Sequence, residues 1–90
     1  QVVHGIPRAD CILQEGDIIS LDCGATYKGL IADSARTVAV GEVPEAVTLL
    51  LERTYESLLA AIDNMRPGKY LEDVSGAVED VCNKYGYGLV

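Results

Sequence analysis

Two aspartates eleven residues apart, Asp22 and Asp33, and a single histidine, His4, are the side chains of this ninety-residue chain whose types and spacing can do chemistry. Each aspartate sits in a run rich in β-branched and apolar residues, Ile18 to Cys23 and Leu30 to Val40. Between the runs lies Thr26-Tyr27-Lys28-Gly29, with glycine at a turn position. The pattern predicts a β-hairpin. Residues that face each other in an antiparallel pair have numbers adding to a constant, and Asp22 with Asp33 shares its total with Ala25 and Leu30. The spacing therefore predicts a four-residue loop and two aspartates directly opposite. Opposed side chains share one face with Cβ atoms about 5 Å apart, and like charges so placed are destabilising unless a cation or a shared proton lies between them. Hard divalent cations favour carboxylate oxygens, and two-metal hydrolytic sites hold their ions about 3.5 to 4 Å apart, a span one bridging carboxylate covers. A metal centre is the sharp reading; an aspartate in solvent, on a register displaced by a bulge, is the plain one.

His4 lies in Val2-Val3-His4-Gly5-Ile6-Pro7, where a β-type pair gives way to glycine and proline, so it falls at the end of a strand and can face a cleft. The plain alternative is a surface histidine. As the chain has no second imidazole, a site with two histidine ligands is not available within it.

The elements that must position these groups follow in order. Arg8 to Gly16 is polar and irregular, and Glu15-Gly16-Asp17 forms a turn into the first strand. Along the second strand Ile31, Asp33, Ala35 and Thr37 share one face and Ala32, Ser34, Arg36 and Val38 the other, so Arg36 does not stand beside Asp33. From Pro44 the period changes. Val47, Leu50, Leu51, Tyr55, Leu58, Ala61, Ile62 and Met65 recur at three and four residues, predicting a helix that Pro44 opens and Pro67-Gly68 ends. Leu71, Val74, Val78, Val81, Cys82 and Tyr85 predict a second helix with Glu72 and Asp73 in its first turn and Gly86 as a left-handed cap. Both stripes read as core, Tyr55, Tyr70 and Tyr85 as packing residues, and Glu45, Glu52, Glu56, Asp63, Glu79 and Asp80 as solvated faces. Gln1-Val2-Val3 reads as the middle of a strand and Gly88-Leu89-Val90 as the start of another, so residues 1–90 are expected to be one partial domain of something larger. The fold class is α+β, helices laid on one face of an antiparallel sheet.

Composition bounds the function. A formal charge of −7 and a pI near 4.4 argue against nucleic acid or an anionic membrane surface as partner. Apolar runs are broken by charges every few residues, and the N-terminus lacks a signal-peptide layout; a cytoplasmic setting is the default. Cys11, Cys23 and Cys82 are odd in number and lack C-x-x-C spacing, which argues against a disulfide framework or a zinc knuckle; they read as reduced, packed thiols. Cys23 adjoins Asp22 but points to the other face of the strand.

The segments Val2-Val3-His4-Gly5-Ile6-Pro7, Gly16 to Asp22, Asp33-Ser34-Ala35-Arg36-Thr37 and Met65-Arg66-Pro67-Gly68, in that order and spacing, resemble the middle part of a type I methionine aminopeptidase. The resemblance covers essentially the whole chain. It implies roughly one half of a pita-bread catalytic domain of peptidase family M24, whose dinuclear centre of divalent ions (Co, Mn, Fe or Zn) is held by two Asp, one His and two Glu. By the resemblance Asp22 chelates one ion, Asp33 bridges both, and His4 hydrogen-bonds to the scissile peptide. The other ligands would lie beyond residue 90. It also implies hydrolysis by a metal-activated water, with N-terminal Met peptides of nascent proteins as substrates and association of the intact parent with the ribosome. With two of the five ligands the isolated piece is expected to be inactive, and the apolar flank left where the other half would pack should make it self-associate or need a partner. Two positions depart from the family pattern: Ile31-Ala32 stands where many relatives have His-Gly, and Gly24 where many have Thr. The competing functions are a proline-specific peptidase of the same fold, such as a prolidase or creatinase relative, and a non-catalytic pita-bread protein-binding module. The surviving pair of aspartates speaks against the latter.

Overall fold

The computed structural model of the chain describes residues 5–90, with β1 over Ile18–Tyr27, β2 over Leu30–Ala39, α1 over Glu45–Asn64 and α2 over Leu71–Tyr85. Residues 1–3, expected as strand, and His4 lie outside the described residues. The chain divides at Pro44 and Glu45 into a hairpin unit and a helix unit.

In the hairpin unit the strands are longer and the loop shorter than the spacing predicts. β1 runs on through Gly24 to Tyr27, and only Lys28 and Gly29 form the turn, with φ of +49° and +82°. Positive φ at both central residues is the type I′ turn, whose twist matches that of the flanking strands. The predicted four-residue loop is thus corrected to two residues, and the register moves by two: Asp22 pairs with Ala35, Asp33 with Gly24, and Tyr27 with Leu30. At the open end Gly16, at φ +91°, lets the chain turn so that its N–H donates to Val40 O at 2.8 Å, while Val40 N–H donates to Asp17 O at 2.9 Å. The Asp17 carboxylate closes the same turn by accepting from Gln14 N–H at 2.9 Å.

In the helix unit α1 follows Pro44 and places Glu45 in its first turn, where a carboxylate suits the positive end of the helix dipole. It ends at Asn64, ahead of Pro67-Gly68, with the Asn64 amide donating to Ala60 O at 2.9 Å. α2 is capped by Tyr70, whose backbone N–H donates to Asp73 Oδ2 at 2.8 Å, the carboxylate half of a capping box. It ends on Gly86 at φ +72°, where Gly86 N–H reaches Asn83 O at 3.2 Å and Tyr87 N–H reaches Cys82 O at 2.9 Å. This is a Schellman motif, and only a residue free to adopt positive φ makes it without strain. Gly88-Leu89-Val90, expected to begin a strand, is not in one.

The two helices pack on each other, but not along the whole of the predicted stripes. Among the described residues Ala61 is the one that is buried, 6% exposed, while Tyr55, Ile62, Met65 and Leu71 of those stripes are exposed, as is Tyr70. Glu56, expected on a solvated face, is half-buried: its Oε1 accepts from Lys84 Nζ at 3.1 Å and Tyr85 Oη at 3.2 Å, and its Oε2 from Arg53 at 3.2 Å. The Arg53 guanidinium lies over the Tyr85 ring, 4.1 Å from its centroid. The expectation of packed thiols also fails: Cys11 and Cys23 are exposed and Cys82 is half-buried, all three unbonded. Among the described residues no helix is long and apolar enough to cross a membrane.

Candidate metal centre

Asp22 and Asp33 are brought to one face of the hairpin, though not opposite one another. Because the register moves by an even number, every residue keeps its predicted face and only its partner changes. Asp22 lies across from Ala35 and Asp33 across from Gly24, so the aspartates are diagonal neighbours, a relation that puts Cα atoms roughly 7–8 Å apart and Cβ atoms somewhat closer. The bond from Val40 N–H to Asp17 O marks that rung as hydrogen-bonded. Alternation then makes the Asp22–Ala35 and Gly24–Asp33 rungs non-hydrogen-bonded, the kind in which side chains stand closer across the ladder.

The rest of the face is mixed, with Thr26 and Ile31 on the turn side of the aspartates and Ser20, Thr37, Ile18 and Ala39 on the other side. Ser20 and Thr37, one rung of the same kind further from the turn, share a hydrogen bond between their hydroxyls at 2.8 Å. Arg36 pairs with Leu21 on the opposite face, as the alternation along β2 requires, so its guanidinium does not offset the two carboxylates. Cys23, across from Ser34, is on that opposite face too and is no ligand partner for Asp22.

These features suit hard cations. Two exposed carboxylates share a face, Gly24 and Ala35 opposite them put no bulk in the way, and their mutual repulsion is relieved by a positive ion between them. Among the described residues no cluster of three or more His, Cys, Asp or Glu forms, so the hairpin contributes two ligands and not a complete set. Sequence reasoning found both aspartates but missed what faces them. The Lys28-Gly29 pair, read as a two-residue turn, is the signal that would have supplied the register.

Against known proteins, the sequence model of metallopeptidase family M24 matches residues 1–90. A methionine aminopeptidase of Clostridium acetobutylicum is 41% identical over 90 residues, which is all of this chain and 36% of that protein. One of Aquifex aeolicus is 41% identical over the same length and 35% covered, and methionine aminopeptidase 1 of Mycobacterium tuberculosis is 46% identical over 79 residues. The chain thus spans about a third of the length of the curated relatives it matches. Among solved structures, a recombinant prolidase from Thermococcus sibiricus superimposes with a TM-score of 0.82 at 33% identity, covering 94% of this chain and 23% of the prolidase. The two strands and two helices are therefore part of a pita-bread fold.

Proposed function

We propose, since the chain belongs to metallopeptidase family M24, that the protein carrying it removes the N-terminal methionine from nascent polypeptides with the help of divalent metal ions. The observation that carries this reading is the pair of aspartates on one face of the hairpin, within a chain about 40% identical along its length to proteins named methionine aminopeptidase. Bound divalent ions would supply the Lewis acidity and the activated water that peptide hydrolysis at neutral pH needs. Asp22 would hold one ion and Asp33 would touch both, each through its carboxylate oxygens. His4 would donate a hydrogen bond to the scissile peptide. Residues 1–90 would form roughly one half of the catalytic domain, with the imidazole and the remaining carboxylate ligands supplied from elsewhere. The setting is the cytoplasm, at or near the ribosome, and the ninety residues by themselves would self-associate through the exposed apolar side chains of the helix unit.

A second reading is favoured by one observation: the prolidase of Thermococcus sibiricus shares this fold at 33% identity. A proline-specific peptidase would use the same two aspartates on a different substrate. Assaying the longest natural polypeptide that contains this chain, loaded with Mn²⁺ or Co²⁺, on Met-Ala-Ser and on X-Pro dipeptides separates the two. Cleavage of Met-Ala-Ser alone supports the methionine reading, and cleavage of X-Pro alone overturns it. A protein that binds no metal and cleaves neither is the binding module.

A further inference from the structure

Among the described residues the side-chain hydrogen bonds that join α1 to α2 end on one atom: Glu56 Oε1 accepts from Lys84 Nζ at 3.1 Å and from Tyr85 Oη at 3.2 Å. Its other oxygen accepts from Arg53 at 3.2 Å. Two cations rest on the Tyr85 ring, with Arg53 4.1 Å and Lys84 4.6 Å from its centroid, and they tolerate each other because the carboxylate bonds to both. Apolar burial between the helices is modest, Ala61 being the one buried residue among those described. Immediately beyond Lys84 and Tyr85 the chain folds back. Gly86 N–H and Tyr87 N–H donate to Asn83 O and Cys82 O, and Tyr87, Gly88 and Leu89 then line, with Leu50, Arg53 and the half-buried Cys82, a pocket of about 200 Å³ between the helices.

We infer that Glu56 is a latch: its carboxylate ties the last turn of α2 to α1 and so holds residues 87–89 as a strap over the pocket and the Cys82 thiol. Without the negative charge, Lys84 Nζ and Tyr85 Oη lose the acceptor they share, and Arg53 and Lys84 are left on one ring as like charges with nothing between them. The turn that carries the Gly86 cap is then released from α1, and the strap moves with it. The groups that meet Glu56 are Arg53 from α1 and Lys84 and Tyr85 from α2, so the latch is confined to the helix unit and does not depend on Asp22 and Asp33 of the hairpin unit. The first turns of α1, which reach none of these groups, are unaffected when it opens. Local opening of this kind is the ordinary behaviour of a segment with few buried contacts.

The test is brief alkylation by N-ethylmaleimide, quantified at Cys82 by peptide mass spectrometry, together with amide hydrogen exchange, on the longest natural polypeptide containing this chain. The proteins are wild type, Glu56→Gln, Tyr85→Phe, which removes one bond to the latch and keeps the ring, and Glu52→Gln, the same change on an exposed α1 carboxylate outside the cluster. Circular dichroism establishes that each is folded. Cys82 alkylation and exchange over residues 83–90 are expected to rise about three- to tenfold in Glu56→Gln, the scale of hydrogen bonds to a charge that water partly screens. They should rise less in Tyr85→Phe and stay at the wild-type rate in Glu52→Gln, with exchange in the first turns of α1 unchanged throughout. Equal rates in wild type and Glu56→Gln overturn the inference. An equal rise in Glu52→Gln overturns it in favour of a general charge effect, and a rise spread evenly over both helices overturns it because the carboxylate would then support the whole unit and not its end. Should Glu56→Gln fail to fold, Tyr85→Phe decides: a rise confined to Cys82 and residues 83–90 upholds the latch, and unchanged rates overturn it.

Discussion

Asp33 stands one non-hydrogen-bonded rung nearer the turn than Asp22, on the same face of the hairpin. The two carboxylates thus approach along a diagonal, with the offset an even number of residues. A divalent cation held by the two carboxylates would relieve their repulsion. Replacing either aspartate by asparagine keeps the size and removes the charge, and an amide oxygen is a poor substitute for a carboxylate that contacts two cations. Asp33→Asn and Asp22→Asn are predicted to lose most bound metal and at least about 100-fold of turnover. His4→Ala should lose turnover and keep metal. Metal analysis after gel filtration decides: a His4→Ala protein as metal-free as Asp33→Asn would make His4 a ligand.

The turn at Lys28-Gly29 sets the register that creates this diagonal, and its chemistry is only half suited to its shape. Gly29 at φ +82° is unstrained, whereas Lys28 at φ +49° carries a Cβ in the left-handed region. Lys28→Asn should therefore raise stability by up to about 1 kcal/mol, asparagine being among the residues that tolerate this conformation and a favoured first residue of a type I′ turn. Gly29→Val should lower it by 1 kcal/mol or more, on the order of the left-handed penalty for a branched side chain. Chemical denaturation of the three proteins gives the ranking, and a Gly29→Val protein as stable as wild type would refute the turn assignment.

The same turn explains what was and was not legible in the sequence. A two-residue lysine-glycine turn lacks the asparagine or aspartate that usually advertises it, so the loop reads as four residues and the aspartates as opposite partners. The error was harmless to the faces, because side chains alternate with period two and the register moved by two. Helix limits were legible because proline, the acidic first turn of α2 and the Gly86 cap are local signals. What was illegible is tertiary. Glu56 looks like a solvated carboxylate until α2 brings Lys84 and Tyr85 to it from 28 and 29 residues away. The apolar stripes predict which residues seek cover, and nothing in their period says how much of it the partner helix provides.

The Glu56 cluster carries a pH dependence. The hydrogen bond from Lys84, with help from Tyr85 and Arg53, holds the Glu56 carboxyl below the usual carboxylate range, against the opposing effect of desolvation. A carboxyl whose value is depressed on folding stabilises the fold above its unfolded value and loses that contribution as pH falls through the folded one. Melting temperature should fall on acidification below about pH 4.5, the upper end of the ordinary glutamate range. The Glu56→Gln protein should be less stable at neutral pH and approach the wild type in acid. The decisive quantity is the difference between the two curves, since the other carboxylates contribute to both; a difference that stays constant down to pH 3 would remove Glu56 from this role.

The ligand count leads to a prediction about the ninety residues by themselves. Asp22 and Asp33 supply at most two of the five ligands that the family resemblance implies, and among the described residues no third joins them. An ion held by two exposed carboxylates keeps most of its water and is bound far more weakly than in a complete site, and its water is less acidified. The isolated chain is therefore predicted to bind Mn²⁺ or Co²⁺ only weakly and to leave a Met-Ala-Ser peptide uncleaved at any metal concentration. Adding the remainder of the catalytic domain in trans is the informative second arm. Turnover that appears only on mixing would place the missing ligands on the added segment, whereas full turnover by the ninety residues alone would mean that two aspartates suffice and that the ligand set has been overcounted.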